Sequence, residues 1–306
     1  MNSATLATTW RQVTARVERQ VEYGAGHWWL DLDVPAPFAA PQPGQFVQLL
    51  LDATATGTLL PRPMSIAGAE PRSDGWRVSF LYAPVGAGTQ ALARLRAGDT
   101  VQTLGPLGQG FPLEVPGSPM LMAGGRGVAP LLFAADVLAR PARLESGESG
   151  APRPSRRSAF LFGARRAEQL VGLNDARRRL EQAGGTLHLC TDDGSRGMHG
   201  SVMELLEQQV SGFKSPIVIH ACGPHGMLRA IAQWALVRDV RAYLAMESVM
   251  ACGTGVCRGC PLPRSAMGRK AWTSARPSLL GNAEMAMCCT EGPVFEARDL
   301  DWERVA

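Results

Sequence analysis

Hydrophobic and polar positions change their rhythm twice along the chain. In the first third they form short runs separated by turn residues. Gln12–Glu22 alternates in part, Phe46–Leu51 is a mostly apolar run behind the turn Pro43-Gly44, Trp76–Tyr82 is rich in β-forming residues, and Thr100–Leu104 leads into Gly105-Pro106. Short strands with frequent Gly and Pro predict a small antiparallel barrel, with one short helix over Gln90–Arg96. Beyond residue 117 apolar strands alternate with helical stretches. The strands are Pro119–Ala123, Ser158–Gly163, Thr186–Thr191 and Pro216–Ala221; the helices are Val128–Ala139, Asn174–Ala183 and about Val202–Gln209. That alternation predicts a parallel sheet with helices on both faces. Residues 140–158 are rich in Arg, Pro, Ser, Gly and Glu, lack aromatics and are expected to form a solvated, mobile loop. The expected organisation is multidomain, β plus α/β: a barrel over 1–114, a parallel-sheet unit over 115–241 and a small cysteine-bearing unit over 242–306.

Composition narrows this picture. Of 306 residues 45% are apolar and 19% charged, enough for buried cores and unlike a disordered or collagen-like chain. The net charge of +4 is too small to imply a nucleic-acid partner. No run of 18 apolar residues occurs and Met1–Trp10 lacks the pattern of a secretory signal, so neither a membrane span nor export is expected and the chain is expected in the cytoplasm. Seven cysteines, five of them between Cys252 and Cys289, point to metal or redox chemistry rather than a disulfide framework.

The strongest chemical signal is Cys252-Gly-Thr-Gly-Val-Cys257-Arg-Gly-Cys260, followed by Cys288-Cys289. The spacing C-x4-C-x2-C with a distant fourth cysteine is the plant-type arrangement for a 2Fe–2S cluster, which takes four thiolates. Zinc, which favours paired C-x2-C knuckles, and free thiols are the alternatives. Arg62-Pro63-Met64-Ser65, with Gly88-Thr89 at the start of a short helix, offers an arginine, a hydroxyl and free N–H groups to a phosphate-bearing cofactor. Ala123-Gly124-Gly125-Arg126-Gly127-Val128 lies between a strand and a helix, where glycines let a dinucleotide approach the backbone. Thr191-Asp192-Asp193-Gly194-Ser195 and Ala221-Cys222-Gly223-Pro224 each end a strand, and Gly105-Pro106-Leu107-Gly108-Gln109-Gly110-Phe111 sits at the junction of the first two units. Singly, each string also reads as an ordinary turn.

Taken in order, these strings resemble the ferredoxin reductase superfamily and, more closely, the electron-transfer subunits of class 1B dihydroorotate dehydrogenases. The resemblance covers about residues 10–300 and is most specific at Met246–Cys252 and at Cys289-Thr290-Glu291-Gly292-Pro293-Val294-Phe295. It implies FAD in the barrel, held by Arg62, Pro63, Met64, Ser65, Leu81, Tyr82, Ala83, Gly88 and Thr89. It implies NAD in the α/β unit, with Gly124, Gly125 and Gly127 at its pyrophosphate, and Cys222 and Gly223 near the contact of nicotinamide with flavin. It implies a 2Fe–2S cluster on Cys252, Cys257, Cys260 and Cys289. The implied partner is an FMN-containing catalytic subunit of the dihydroorotate dehydrogenase type, in a heterotetramer. A nicotinamide gives two electrons as hydride and a 2Fe–2S cluster takes one at a time, so a flavin must stand between them. Asp192 and Asp193 would repel a 2′-phosphate and favour NAD, against Arg196 close by. Ala123 and Arg126 depart from the family's usual glycine and apolar residue, 140–158 is an insertion, and the 28 residues between Cys260 and Cys289 are about twice the length expected from the family's pattern. The competing readings are a flavin–iron–sulfur subunit serving a sulfide dehydrogenase, hydrogenase or ferredoxin:NADP oxidoreductase, an oxygenase reductase, and a zinc-binding interaction module.

Overall fold

The computed structural model describes residues 10–52, 57–139, 158–182, 184–213, 215–271 and 282–305. Six antiparallel strands, β1 (Arg11–Gly24), β2 (His27–Pro35), β3 (Phe46–Leu50), β4 (Arg62–Arg72), β5 (Gly75–Tyr82) and β6 (Thr100–Leu107), close a barrel in the order β1-β2-β5-β4-β3-β6. Closure leaves no strand edge open. Leu30, Leu32, Val47, Leu49, Ile66 and Phe80 fill it. The apolar pattern does not announce β2, because Asp31 and Asp33 interrupt it. Asp31 is nevertheless buried, and its Oδ1 accepts from Trp29 Nε1 (2.7 Å) and Ser79 Oγ (2.6 Å), so its polarity is satisfied where it stands. Helix α1 (Ala87–Leu92) begins three residues before the expected Gln90. Thr89 Oγ1 and the Gly86 backbone bond each other in both directions at 3.0 Å, and that exchange fixes the earlier start.

The second layer is a seven-stranded sheet built on β7 (Ser118–Gly124), β8 (Ala159–Ala164), β9 (Thr186–Thr191), β10 (Met198–His199), β11 (Ile217–Cys222) and β12 (Arg241–Ala245), all parallel. Its order is β10-β9-β8-β7-β11-β12-β15, where β13 (Pro261–Pro263) and β14 (Met285–Met287) form a separate ribbon and β15 (Val294–Glu296) closes the sheet antiparallel to β12. Helices α2 (Val128–Ala139), α3 (Leu173–Gln182), α4 (Val202–Val210) and α5 (His225–Val237) cover the faces, and α6 (Ala266–Ala271) follows β13. The expected loop over 140–158 lies outside the described residues except for the buried Ser158. Among the described residues no helix is long and apolar enough to cross a membrane.

Barrel and sheet share a seam. Phe133 of α2 belongs to the apolar cluster of the barrel. Arg179 of α3 is buried there: its Nε lies 3.1 Å from Asp136 Oδ1, its Nη1 donates to the Ala67 carbonyl (3.1 Å), and its guanidinium lies 5.9 Å from the Trp29 ring centre. On another side of the barrel Phe46 and Leu107 join one apolar cluster with Cys260, Leu262, Cys288 and Cys289, which seats the cysteine-bearing segment against β3 and β6.

Candidate functional site

Arg62 opens β4 and meets Gly88 of α1. A Cβ at Gly88 would fall 2.8 Å from Arg62 Cδ and 3.0 Å from Nε, so only a glycine lets the guanidinium lie against the helix. The guanidinium donates to the carbonyls of Leu60 (2.7 Å) and Pro61 (3.1 Å). Along β4 the strand alternation turns Met64 into the barrel core and leaves Pro63 and Ser65 exposed. At the end of β5, Leu81 and Tyr82 are buried and Ala83 half-buried; Tyr82 Oη accepts from Gln20 Nε2 (3.0 Å), and burial pushes its phenol up. The two strings singled out in the sequence thus meet in one cradle, where two carbonyls fix the Arg62 guanidinium and leave further N–H donors of its five to a phosphate-bearing cofactor.

The glycine turns lie side by side at the C-terminal edge of the parallel sheet, where open α/β sheets take ligands. Gly127 follows β7, and a Cβ there would stand 2.2 Å from the Cys222 carbonyl oxygen and 2.6 Å from Gly223 N. A Cβ at Gly124 would meet Pro224 Cδ and Met227 Sδ, both at 2.7 Å, and one at Gly223 would lie 3.0 Å from Gly124 N. Gly125 has φ +52° and open space around it. The Cys222 thiol is buried and pushed up, first by burial and then by the charge of Glu247. Ala123 is a buried strand residue, and Arg126 is exposed on the turn.

Asp192 and Asp193 follow β9 and are exposed. Asp193 Oδ1 accepts from Ser195 Oγ (2.5 Å) and Ser195 N (2.9 Å), and these bonds, with the charge of Arg166, hold its carboxyl below the usual range. The backbone N–H groups of Asp192 and Asp193 donate to the carbonyls of Ala164 and Arg165, so exposed Arg165 and Arg166 flank the same turn. Sequence reasoning missed these two arginines, and it missed Glu247 at the edge two residues past β12. Their signal is position at a strand end rather than any motif.

The four cysteines that the resemblance implies as ligands come together in two pairs. Cys257 N donates to Cys252 Sγ (3.5 Å). Burial pushes the Cys252 thiol up, but bonds from Cys257 and Thr254 outweigh it and bring it down to about 7. Cys289 N donates to Cys260 Sγ (3.4 Å), and Cys289, which keeps its proton, holds Cys260 down at about 6. Cys288 turns away: its Sγ lies 3.7 Å from the Met246 carbonyl oxygen, and burial pushes it up to about 12. Among the described residues no three His, Cys, Asp or Glu side chains stand ready around a single metal ion. Two pairs of soft donors suit a binuclear core with two thiolates per iron better than one zinc, which needs all four about one point. The loop is anchored from below. Gln109 N donates to the Gly292 carbonyl (2.6 Å) and Met246 N to that of Pro293 (2.8 Å), which joins the 105–111 string to the one behind Cys289.

A closed antiparallel barrel joined to a parallel sheet, with a cation cradle on one and glycine turns on the other, defines the ferredoxin reductase class of fold. The structure behind "Insights into flavin-based electron bifurcation via the NADH-dependent reduced ferredoxin-NADP oxidoreductase structure" matches with a TM-score of 0.72 and 23% identity over 95% of this chain and 91% of that one. A ferredoxin NADP+ reductase from Neisseria gonorrhoeae matches at 0.58, with 18% identity over 78% of this chain and 95% of that one. No family model matches the chain. Among curated proteins, a dihydroorotate dehydrogenase B (NAD(+)) electron transfer subunit from Shouchella clausii (strain KSM-K16) is 34% identical over 289 residues, 93% of this chain and 96% of that protein. One from Desulforamulus reducens (strain ATCC BAA-1160 / DSM 100696 / MI-1) is 31% identical over 277 residues, 90% and 93% of the two chains. The chain belongs to the family of dihydroorotate dehydrogenase B (NAD(+)) electron transfer subunits.

Proposed function

We propose that this protein carries electrons between NAD(H) and an FMN-containing catalytic subunit that oxidises dihydroorotate in pyrimidine biosynthesis, in a cytoplasmic heterotetramer, with FAD and a 2Fe–2S cluster as its own carriers. The observation that carries the reading is the arrangement of Cys252 with Cys257 and Cys260 with Cys289 in two pairs on the outside of the barrel strand next to Arg62–Ser65. The names of the curated relatives, as NAD(+)-linked electron transfer subunits, support the partner and the nicotinamide. FAD exchanges hydride with a nicotinamide and single electrons with an iron–sulfur cluster, so it converts a two-electron step into one-electron steps.

The chain's own residues do the holding. Arg62 supplies a positive charge for the FAD pyrophosphate, and Gly88 and Thr89 bring the backbone of the first turn of α1 beside it, with the Thr89 hydroxyl bonded to Gly86. Gly124, Gly125 and Gly127 leave the backbone bare for the NAD pyrophosphate at the start of α2. Gly223 keeps the floor of the nicotinamide site low, and the neutral Cys222 thiol closes it. Asp192 and Asp193 disfavour the extra phosphate of NADP. The same fold with another partner, of the ferredoxin:NADP oxidoreductase, hydrogenase or sulfide dehydrogenase type, is the second reading. The near full-length match to the NADH-dependent ferredoxin-NADP oxidoreductase structure favours it.

Protein purified without oxygen is expected to carry about one FAD and about two irons per chain. Cys289→Ser loses or shifts the cluster signal and Cys288→Ser keeps it. Stoichiometric zinc without iron overturns the cluster assignment. NADH is expected to give a kcat/KM for dye reduction about tenfold above that of NADPH, a difference of about 1.4 kcal/mol. Equal values transfer control of that choice to Arg165, Arg166 and Arg196. Reduction of the bound flavin by dihydroorotate, only when a dihydroorotate dehydrogenase catalytic subunit is added, separates the first reading from the second.

A further inference from the structure

Gln48 stands on β3 between Val47 and Leu49, both in the barrel core. Strand alternation therefore turns Gln48 outward, yet it is wholly buried. The cysteine loop covers it. A Cβ at Gly253, next to Cys252, would stand 2.7 Å from Gln48 Cγ and 2.9 Å from Nε2, and Nε2 lies 3.5 Å from the Met250 carbonyl oxygen, at the outer limit of a hydrogen bond. The other amide atom, Oε1, is buried and meets no donor among the described residues. In register, Gln48 lies directly across from Pro63 of the Arg62–Ser65 string. The amide is thus wedged between the strand that would hold FAD and the loop that would hold the cluster. An apolar side chain would seal this seam without the cost of burying an unpaired acceptor, so the seam alone does not call for a glutamine.

We propose that Gln48 is a positioning residue that seats residues 250–253 on the barrel and, with the donor end of its amide against the loop, raises the reduction potential of the cluster and slows its loss. This rests on the reading that Cys252, Cys257, Cys260 and Cys289 hold a 2Fe–2S cluster. Hydrogen-bond donors and burial around cluster sulfurs set their potential, and outer partners of metal ligands govern retention. A positive dipole end beside the loop favours the reduced, more negative state.

The test compares wild type with Gln48→Met, which keeps the volume and removes the amide, and Gln48→Glu, which keeps the shape and replaces the donor by a carboxylate. FAD, iron and sulfide contents come first, then the cluster potential by redox titration followed by electron paramagnetic resonance, then iron release to a chelator. Both variants are expected to keep FAD. Gln48→Met is expected to shift the potential downward and release iron about tenfold faster, and Gln48→Glu to shift it further down. If iron-replete variants show wild-type potential and release, Gln48 only fills space and the inference fails while the cluster reading stands. Iron-free wild type overturns the cluster reading, and this inference with it, before any variant is made. If Gln48→Met folds without FAD, Gln48→Glu decides by the same measurements.

Discussion

His220 sits in mid-β11 with its ring stacked on Tyr243 at 5.7 Å and edge-on to Phe111 at 5.6 Å. Its Nδ1 is buried and meets no partner among the described residues, and burial alone lowers its pKa from 6.5 to about 3. The folded protein therefore keeps this imidazole neutral, whereas the unfolded chain takes up a proton below pH 6.5. Stability from this residue is complete above that pH and drains away as pH falls towards 3. At pH 5 the loss is about 2 kcal/mol. His220→Phe, which preserves the ring contacts, should narrow the difference in Tm between pH 7 and pH 5 by roughly 4 °C. An unchanged difference, measured calorimetrically in both proteins, would assign the acid sensitivity elsewhere.

At the scale of elements, the β7–α2 turn passes the end of β11 with no room for a side chain. Gly127→Ala would drive a methyl into the Cys222 carbonyl at 2.2 Å, a backbone atom that cannot step aside. The turn or the strand end must move, and displacement of a positioned ligand by about 1 Å costs on the order of a hundredfold. We expect KM for NADH to rise at least about tenfold while FAD content stays at the wild-type level. An unchanged KM would remove this turn from the nucleotide site. The same elements show what the sequence could and could not reveal. β7, α2, β8 and β9 are apolar runs bounded by turn residues, and their limits were readable to within a residue or two. β2 was hidden by its two aspartates, and β13, β14 and β15 have three residues each, too few for any period to show. The glycine turns and cysteines of the candidate site were readable because their chemistry demands those residue types. Gln48 was not, since its importance arises from Met250, 202 positions away.

On the scale of the whole molecule, Arg179 ties sheet to barrel through the Ala67 carbonyl and the Trp29 ring, while Asp136 of α2 pairs with it from within its own layer. Its side chain is 10% exposed and that of Asp136 28%, so the contacts are only partly screened. Burial pulls the guanidinium pKa down, yet Asp136 and Asp175 oppose this and favour the charge. Arg179→Met keeps much of the packing and removes the polar ties, which should lower unfolding stability by about 2 kcal/mol. It should also slow flavin reduction by NADH, because the two nucleotide-bearing layers lose their fixed spacing. Stability and reduction rate both unaltered would show that Phe133 and its neighbours hold the seam unaided.

The closing strand of the sheet, β15, comes from beyond the cysteine loop and runs against β12. An appended carrier module on a linker can be traded between genes as a cassette. This segment is sewn into its host, and its removal would bare the β12 edge to pairing with other chains. Such an arrangement resists shuffling, because the segment cannot be exchanged without also rebuilding the last strand of its host's sheet.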